Sequence, residues 1–518
     1  MELVWQRLAA LTLCAAVLVG CGGGGGGGGG GFLPLAALPQ QPAAPAPAAD
    51  EPIVESSSVA GSCAAPRVGV DPDTGAVFPD RSGSVDDEKR WLRAWIDETY
   101  LWFDEVPSTL QSTDYATPIA WFSVLKTPAL TASGRAKDRF HFTQDTAAYR
   151  ALSQGGVETG YGLELAFLSA SPPRDIRVAY AEPNSPAAQA GIVRGTRLIE
   201  VDGIDVANGG DTVRLNAAIT PKAAGEAHSF RLRAPDGTER TVTLTAARVT
   251  RVPVQNVKTL STPSGPVGYM QFNDHLATAE TGLINAVNQL QAAGIVDLVI
   301  DMRYNGGGFL DVASELASMV SASPATTGAV FERQVFNRKN PFKLTPQQAT
   351  LPFHTTSRGL STTAGQPLPR LGLSRVTVLA GPDTCSASES VINGLRGVGV
   401  TVNLVGGATC GKPYGFYPQD NCGTTYFSIQ FQGVNNQGFG DYGDGFTPTC
   451  AVADDFDHAL GDPAEARLAT ALALRSTGAC PVPSSNKADV VVRKAEAEKA
   501  PYLRRAPERE VRILSAPH

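Results

Sequence analysis

The chain has 518 residues, of which 42% are hydrophobic and 18% are charged, with 54 glycines and 37 prolines. This composition is typical of a globular protein of two or three domains that also carries unstructured segments. The formal net charge of −7 argues against a nucleic-acid-binding protein, which would need a basic face.

The first 21 residues have the layout of a secretory signal: one arginine, an apolar stretch and small residues before Cys21. Their end, "LVGC", resembles a bacterial lipobox, in which the cysteine is lipidated. The alternative is a plain cleaved signal (1–21) with an incidental cysteine. We favour the lipoprotein because the glycine, proline and alanine run of 22–62 predicts a disordered linker suited to a tether. Gly22 after the cysteine implies, on resemblance to other lipoproteins, sorting to the outer membrane.

Residues 63–157 are predicted to form a helical N-terminal domain. Within 86–106 the apolar residues Trp91, Trp95 and Tyr100 recur at helical spacing. We interpret this aromatic stripe as core.

Residues 158–249 consist of short alternating strands and turns, with "GYGLEL" at the start and "SPAAQAG" further on. The segment resembles a PDZ domain in the circularly permuted form found in bacterial proteases. The resemblance implies that backbone N–H groups of Tyr161, Gly162 and Leu163 bind a peptide's terminal carboxylate, while the next strand pairs with the peptide. The alternative is a module that only packs structurally.

In residues 250–480, apolar strands alternate with helices, which predicts a mostly parallel α/β sheet. Three turns, "NGGG", "TCSAS" and "TCGK", each follow a predicted strand. Because sites form at the carboxyl ends of such strands, we expect Asn305, Ser386 and Lys412 around one crevice. The charged tail, 481–518, is predicted to be disordered.

Ser386 begins a predicted helix, where a serine is more often a cap than a nucleophile. Lys412 favours the nucleophile, because no acidic residue occurs between Glu389 and Asp420 to keep the lysine charged. A free lysine has a pKa of ~10.4, and burial without a counter-charge can lower it by ~3 units or more. A neutral lysine can act as the base that activates a serine.

The stretches "SASES…GATCGK" and "DLVIDMRYNGGG" resemble the Ser–Lys dyad region and the glycine turn of C-terminal processing, or tail-specific, serine peptidases. The resemblance covers roughly residues 84 to 475. It implies Ser386 as nucleophile, Lys412 as base, and oxyanion donors from three further residues, namely Gly306, Gly307 and Ala387. This chain has Phe416 where the family has a glutamine, which leaves the third member of the site open, and its Glu389 is interpreted as orienting the helix.

Two other serines lie close to Ser386 in the sequence. Ser388 is about 200° further round the helix, and Ser390 is ~6 Å further from its N-terminus. Only Ser386 therefore combines that terminus with reach to Lys412.

Six cysteines remain beyond the signal, which predicts disulfides in an exported chain. We expect at least two, drawn from five of these residues: Cys385, Cys410, Cys422, Cys450 and Cys480. A Cys385–Cys410 bridge would brace the dyad, and Cys410–Cys422 is an equally plausible local bridge. The absence of a CxxC pair or HExxH motif argues against a metal site, and no cofactor is predicted.

The sequence as a whole therefore predicts a multidomain α/β and β protein. Its expected function is that of an exported serine endopeptidase, anchored by lipid on Cys21 and facing the periplasm. Its expected partners are protein or peptide substrates with free C-termini and the membrane, and not nucleic acid. The alternative is a non-catalytic peptide-binding lipoprotein that retains the fold.

Overall fold

A computed structural model of the chain describes residues 53–481. The predicted signal and Cys21 lie outside the described residues, as do residues 22–52 of the predicted linker and nearly all of the predicted tail. At the end of the predicted linker, a short helix, Ser56–Val59, is anchored by the N–H of Ser56, which donates to the Glu98 carboxylate at 2.7 Å. Within 53–481, no helix has the length and apolarity needed to cross a membrane.

The first part of the described chain is mainly helical. Its elements in chain order are α1 Ser56–Val59, β1 Ser62–Cys63, β2 Arg81–Ser82, α2 Val85–Thr99, α3 Pro118–Val124, β3 Phe142–Asp145, α4 Thr146–Gly155 and β4 Val157–Gly160. A capping box starts α2: Ser84 Oγ accepts from the Asp87 N–H, and the Asp87 carboxylate accepts from the Ser84 N–H. The predicted helix and its buried face, including Trp91 and Trp95, are confirmed.

The second part is an antiparallel β structure with two short helices. Its elements are β5 Leu163–Ser169, β6 Asp175–Ala181, α5 Pro186–Gln189, β7 Arg197–Val201, β8 Ile204–Asp205, α6 Thr212–Ile219, β9 Ala227–Arg233, β10 Glu239–Thr245 and β11 Ala247–Thr250. The main sheet has the order β10-β9-β7-β6-β5, with β8 on β7, while β11 pairs with β4. Its buried side chains, between 161 and 246, form a hydrophobic cluster of their own.

The third part contains the central sheet. Its elements are β12 Val254–Leu260, β13 Val267–Phe272, α7 Ala279–Ala292, β14 Asp297–Asp301, α8 Leu310–Val320, α9 Ser323–Thr326, β15 Val330–Phe336, β16 Thr350–Pro352, β17 Arg375–Ala380, α10 Ala387–Gly397, β18 Thr401–Gly406, β19 Tyr414–Gly415, β20 Gln419–Asn421, β21 Thr424–Phe427, β22 Phe431–Val434, β23 Cys450–Ala451 and α11 Ala466–Thr477.

The central sheet has the order β12-β13-β14-β17-β18-β23. Strands β12 and β13 pair antiparallel, and every other neighbouring pair in this sheet is parallel. Two further sheets, β16-β15-β22-β19 and β20-β21-β3, are antiparallel. The mixed α/β organisation is therefore confirmed. Among the described residues, however, most sheets are antiparallel, and parallel strand pairs occur only in this sheet and in the small β1–β2 pair.

One large hydrophobic core joins the first and third parts. Trp91 and Phe122 from the helices pack in the same cluster as Phe272, Leu316 and Phe427 from the third part. Strand β3 also completes the β20-β21 sheet. The predicted domain boundaries at 157 and 249 stay predictions, but residues 63–157 share their core with the third part of the chain.

Residues 53–481 contain three disulfides. They join Cys385 to Cys410, Cys450 to Cys480, and Cys63 to Cys422. The expectation of at least two is confirmed, and so is the Cys385–Cys410 pair. The alternative Cys410–Cys422 bridge is wrong, because Cys422 pairs with Cys63 from the beginning of the described chain.

Candidate active site

Three turns meet at the carboxyl end of the central sheet. They follow β14, β17 and β18, which lie side by side and run parallel. Their backbones are joined directly: the N–H of Cys385 donates to the carbonyl of Asn305 at 3.0 Å, and the N–H of Cys410 donates to that of Thr384 at 3.1 Å. The predicted convergence of the three turns is therefore seen in the structure.

Ser386 lies in a strained turn between β17 and α10. Its backbone has φ 59° and ψ −116°, a conformation that costs a non-glycine residue about 1–3 kcal/mol. Such a sharp strand–turn–helix junction presents the nucleophile in α/β-hydrolases, although their GxSxG motif is absent here. The side chain is buried, and Ser386 and Glu389 are arranged as a capping box at the start of α10, but among the described residues the Ser386 Oγ makes no hydrogen bond of normal geometry. The turn therefore holds an unengaged hydroxyl at the start of a helix.

The two neighbouring serines are used in the structure. Ser388 Oγ donates to the carbonyl of Asn305 at 3.1 Å, and Ser390 Oγ donates to the Glu332 carboxylate at 2.9 Å. These contacts distinguish Ser386 from its neighbours more firmly than helix geometry alone does.

Lys412 is fully buried. Its Nζ lies 4.5 Å from the ring centroid of Phe416 and 5.1 Å from that of Phe140. Removal from water disfavours the charged form of a lysine, while the faces of aromatic rings attract it by about 0.5–2 kcal/mol. The apolar ring of Phe416 thus packs against the lysine side chain. The peptidase family that the sequence resembles has a glutamine at this position.

Glu389 connects the serine turn to the lysine turn. Its carboxylate accepts hydrogen bonds from the N–H of Ser386 at 3.0 Å, of Gly411 at 2.8 Å and of Lys412 at 2.8 Å. The hydroxyl of Thr409 adds a fourth at 2.6 Å. Burial raises the pKa of Glu389, while these donors oppose the rise by stabilising the carboxylate. Glu389 therefore fixes the two turns relative to each other.

The Cys385–Cys410 disulfide makes a second link between the same turns. It joins the residue before Ser386 to one two positions before Lys412, with a Cα–Cα distance of 5.1 Å. The two sulfurs and the Glu389 carboxylate are close enough together to suggest a metal site. A disulfide has no thiolate to offer, however, and the carboxylate is occupied by its donors, so these residues do not fit a metal ion.

The predicted oxyanion residues lie next to Ser386. Gly307 has φ 103°, and a Cβ on it would lie 2.8 Å from Ser386 Cβ and 2.9 Å from the nitrogen of Ala387. Only glycine fits this position. The N–H of Gly307 donates to Asn305 Oδ1 at 2.9 Å, so this donor is already engaged. Gly306, one residue earlier in the turn, is buried as well.

Arg139 is part of the cluster and has no signal in the local sequence. Its Nη2 donates to the carbonyls of Cys410, Gly411 and Gly443. It is 271 residues away from Cys410 in the chain, and only the packing of the helical part against the third part brings it here. Sequence reasoning missed it, together with Phe140 and Thr409.

The predicted peptide-binding residues lie in the second part of the chain. Tyr161 is buried and its hydroxyl donates to the carbonyl of Ala218 at 3.0 Å, while the carbonyl of Gly162 accepts from the N–H of Glu182 at 2.8 Å. Leu163 begins β5, the edge strand of its sheet. An edge strand leaves backbone groups available for pairing with a further strand.

Comparison with known proteins identifies the third part of the chain. Residues 266–418, which include Ser386 and Lys412, match the model of peptidase family S41. The chain contains a peptidase family S41 domain. This confirms the family predicted from the dyad region.

Two curated relatives support this assignment. The chain is 31% identical over 272 residues to a carboxyl-terminal-processing protease of Picosynechococcus sp., covering 51% of this chain and 57% of the relative. It is 30% identical over 193 residues to the chloroplastic C-terminal processing peptidase of Tetradesmus obliquus, covering 35% and 41%. The chain thus spans about half the length of the curated relatives it matches.

The fold is similar to that of a solved S41 protease from Bacteroides fragilis NCTC 9343. The TM-score is 0.58 at 21% identity, with 74% of this chain and 97% of the other covered. At this identity the likeness shows the fold alone. The mixed α/β multidomain fold is therefore similar to that of this S41 protease.

Proposed function

We propose that the chain is a serine endopeptidase of the C-terminal processing type, with Ser386 as nucleophile and Lys412 as general base. The observation that supports this best is the unengaged Ser386 hydroxyl on a strained turn, which Glu389 and a disulfide join to the turn of a buried lysine. Strain retained at one residue is typical of functional sites.

In the proposed reaction, neutral Lys412 takes the proton of Ser386 while the oxygen attacks the substrate's carbonyl carbon. The N–H of Ala387 at the start of α10, with a donor from the Gly306–Gly307 turn, would stabilise the oxyanion. Because the Gly307 N–H is held by Asn305, the turn must shift or Gly306 must donate instead. Protonated Lys412 then gives its proton to the leaving amine, and water hydrolyses the acyl-enzyme.

We further propose that residues 158–249 act as a PDZ domain that selects substrates by their C-termini. The edge position of β5 and its start at the "YGL" loop support this role. The segment is bonded to the third part of the chain through Arg194, which donates to Tyr304 Oη in the S41 domain at 2.8 Å and to Asp454 at 2.7 Å. Tyr304 directly precedes the glycine turn.

Export and anchoring through Cys21 remain proposals. Three disulfides support an oxidising compartment such as the periplasm. Membrane fractionation of cells that express the protein and its Cys21→Ser variant tests the anchor. Equal membrane attachment of both proteins would contradict it.

The peptidase activity is tested by incubating the purified protein with unfolded casein beside Ser386→Ala. We expect cleavage by the natural protein and none by the variant. Absence of cleavage by both would favour the alternative of a peptide-binding lipoprotein, which the replacement of the family's glutamine by Phe416 supports.

A further inference from the structure

Arg139 is a partly buried cation that is bonded to neutral groups. Its guanidinium donates to four carbonyls: those of Cys410, Gly411 at 3.2 Å, Gly443 at 3.5 Å and Ala136 at 3.2 Å. No carboxylate among residues 53–481 forms an ion pair with it. A charge taken out of water normally has a counter-charge, so the missing partner requires an explanation.

The guanidinium lies next to the backbone that carries Lys412. It holds the carbonyls of the two residues that precede Lys412 in the chain. Both cations also face the ring of Phe140, with the guanidinium carbon 4.5 Å and Lys412 Nζ 5.1 Å from its centroid. The arginine therefore both restrains the backbone that carries the lysine and places a positive charge near it.

Among the carboxylates that act on Arg139, Glu389 has the largest effect, and its carboxylate also accepts from the N–H of Lys412. A carboxylate there favours the protonated lysine, which cannot act as a base. The charges of Arg135 and Asp444 also act on the pKa of Arg139. Those of Asp138, Asp441 and Asp444 act on the pKa of the neighbouring Tyr414. Burial, and next the charge of Arg135, lower the pKa of Arg139 to about 10, so the guanidinium stays charged at neutral pH.

We propose that Arg139 is a positioning residue that also keeps Lys412 deprotonated, by offsetting the charge of Glu389 and by its own repulsion of a second cation. A neighbouring cation is one of the established ways to activate a lysine. The proposal rests on Lys412 being the base of the proposed function. It also gives a reason for the missing counter-ion, since a carboxylate paired with Arg139 would cancel the effect.

The test is the pH dependence of kcat/KM on a short internally quenched peptide. Three variants are compared: Arg139→Gln, which removes the charge, Arg139→Lys, which keeps it, and Arg135→Gln, which removes an exposed charge four residues away. For Arg139→Gln we expect the acidic limb of the pH profile to move up by roughly one to two pH units. The value of kcat/KM should therefore fall at least ~10-fold at neutral pH and recover at alkaline pH. Arg139→Lys should keep the limb near its natural position with a reduced kcat, and Arg135→Gln should leave the profile nearly unchanged.

If Arg139→Gln lowers kcat but does not shift the acidic limb of the profile, Arg139 has only a structural role. The proposal that its charge keeps Lys412 deprotonated is then overturned. An equal shift for Arg139→Lys would overturn it as well, because the charge is retained there. If Arg139→Gln fails to fold by circular dichroism, Arg139→Lys still tests the proposal, because a shifted limb in a variant that retains the charge would overturn the electrostatic part. Failure of the proposed function would look different: Lys412→Met would then keep activity whatever Arg139 does.

Discussion

At the scale of single residues, Ser386, Lys412 and Glu389 divide the work of the proposed site. Ser386 offers a hydroxyl without a hydrogen-bond partner in the part of the chain that the structure describes, Lys412 lies out of water, and Glu389 binds the backbone of both. The Glu389 carboxylate accepts from backbone N–H groups of the serine and lysine turns and so fixes the positions of these turns. These hydrogen bonds are made to the backbone of Lys412 and not to its side chain.

Substitution of Lys412 tests this division. Lys412→Arg keeps a positive charge but cannot accept a proton, and Lys412→Met keeps the approximate volume without a base. We expect both to have less than about 1% of natural activity while they remain folded, because a lost general base costs roughly 10²–10⁴-fold. Activity of the natural enzyme should rise with pH as Lys412 loses its proton.

The measurement is hydrolysis of a short peptide between pH 5 and 9, with circular dichroism as the control for folding. Ser388→Ala serves as the matched serine control and should retain substantial activity, since Ser388 only donates to a backbone carbonyl. An active Lys412→Arg enzyme would refute the dyad.

At the scale of elements, two disulfides allow the positioning of the serine and lysine turns to be tested apart from the stability of the fold. The bridges Cys385–Cys410 and Cys450–Cys480 span 25 and 30 residues, so the chain-entropy model gives each roughly 3.5 kcal/mol of stabilisation. Only the first connects the serine turn to the lysine turn.

Replacing both cysteines of each bridge by serine should therefore lower stability similarly but affect catalysis differently. We expect the Cys385/Cys410 variant to lose about tenfold or more in kcat, because a misplacement of ~1 Å can cost 10²-fold, and the Cys450/Cys480 variant to stay near the natural value. Denaturant melts and steady-state kinetics measure the two effects. Equal kcat values would mean that Glu389 and Arg139 position the turns without the bridge.

Helices α7 and α8 carry a buried pair of glutamates. Glu280 accepts from four backbone N–H groups of the loop 358–362, and Glu315 accepts from the first of them, that of Arg358. Burial, and next the charge of Glu280, raise the pKa of Glu315 to about 9. The folded protein thus holds a proton that an unfolded glutamate releases near pH ~4.3.

This raised pKa makes stability depend on pH with a definite sign. Between about pH 4.3 and 9 the folded state binds the extra proton, so the free energy of unfolding should fall as pH rises, by at most ~1.4 kcal/mol per unit. Glu315→Gln should remove this part of the slope, while the exposed Glu55→Gln should not. Urea unfolding at pH 6, 7.5 and 9 measures it, and an unchanged slope in Glu315→Gln would contradict the assignment.

At the scale of the whole molecule, the second part of the chain is bonded to the S41 domain and is not a loosely attached module. Besides Arg194, the buried Arg251 directly after β11 forms an ion pair with Glu158 at 3.1 Å and also donates to Asp274 of the S41 domain, so it joins the two parts. Deleting residues 158–249 would therefore remove contacts near the glycine turn as well as the proposed peptide site. A change in the substrate is a cleaner test than a deletion.

The proposed selection by C-termini predicts that an unfolded protein substrate with a free C-terminal carboxylate is cleaved faster than the same substrate with a C-terminal amide. We expect a lower KM for the free acid, by roughly tenfold, because backbone N–H groups bind an anion better than a neutral amide. A short peptide that cannot reach both sites should show no such difference. Equal KM values for the two proteins would leave residues 158–249 with a structural role.

The sequence by itself determined the local features of this protein. Apolar strands and helical spacing are short-range patterns, so the α/β character and the buried face of α2 followed from them. The family of the dyad region was indicated by the resemblance of its motifs to those of known peptidases. The parallel strands of the central sheet also explain why turns far apart in the chain could be expected at one edge.

Tertiary structure alone decided the contacts between distant segments. Arg139 and Phe140 reach the lysine turn because the helical part shares a core with the S41 domain, and Cys63 pairs with Cys422 for the same reason. The unengaged hydroxyl of Ser386 and the occupied N–H of Gly307 depend on where partner atoms lie, to within a few tenths of an ångström. Hydrogen bonds are short and directional, so no periodicity in the sequence can specify them.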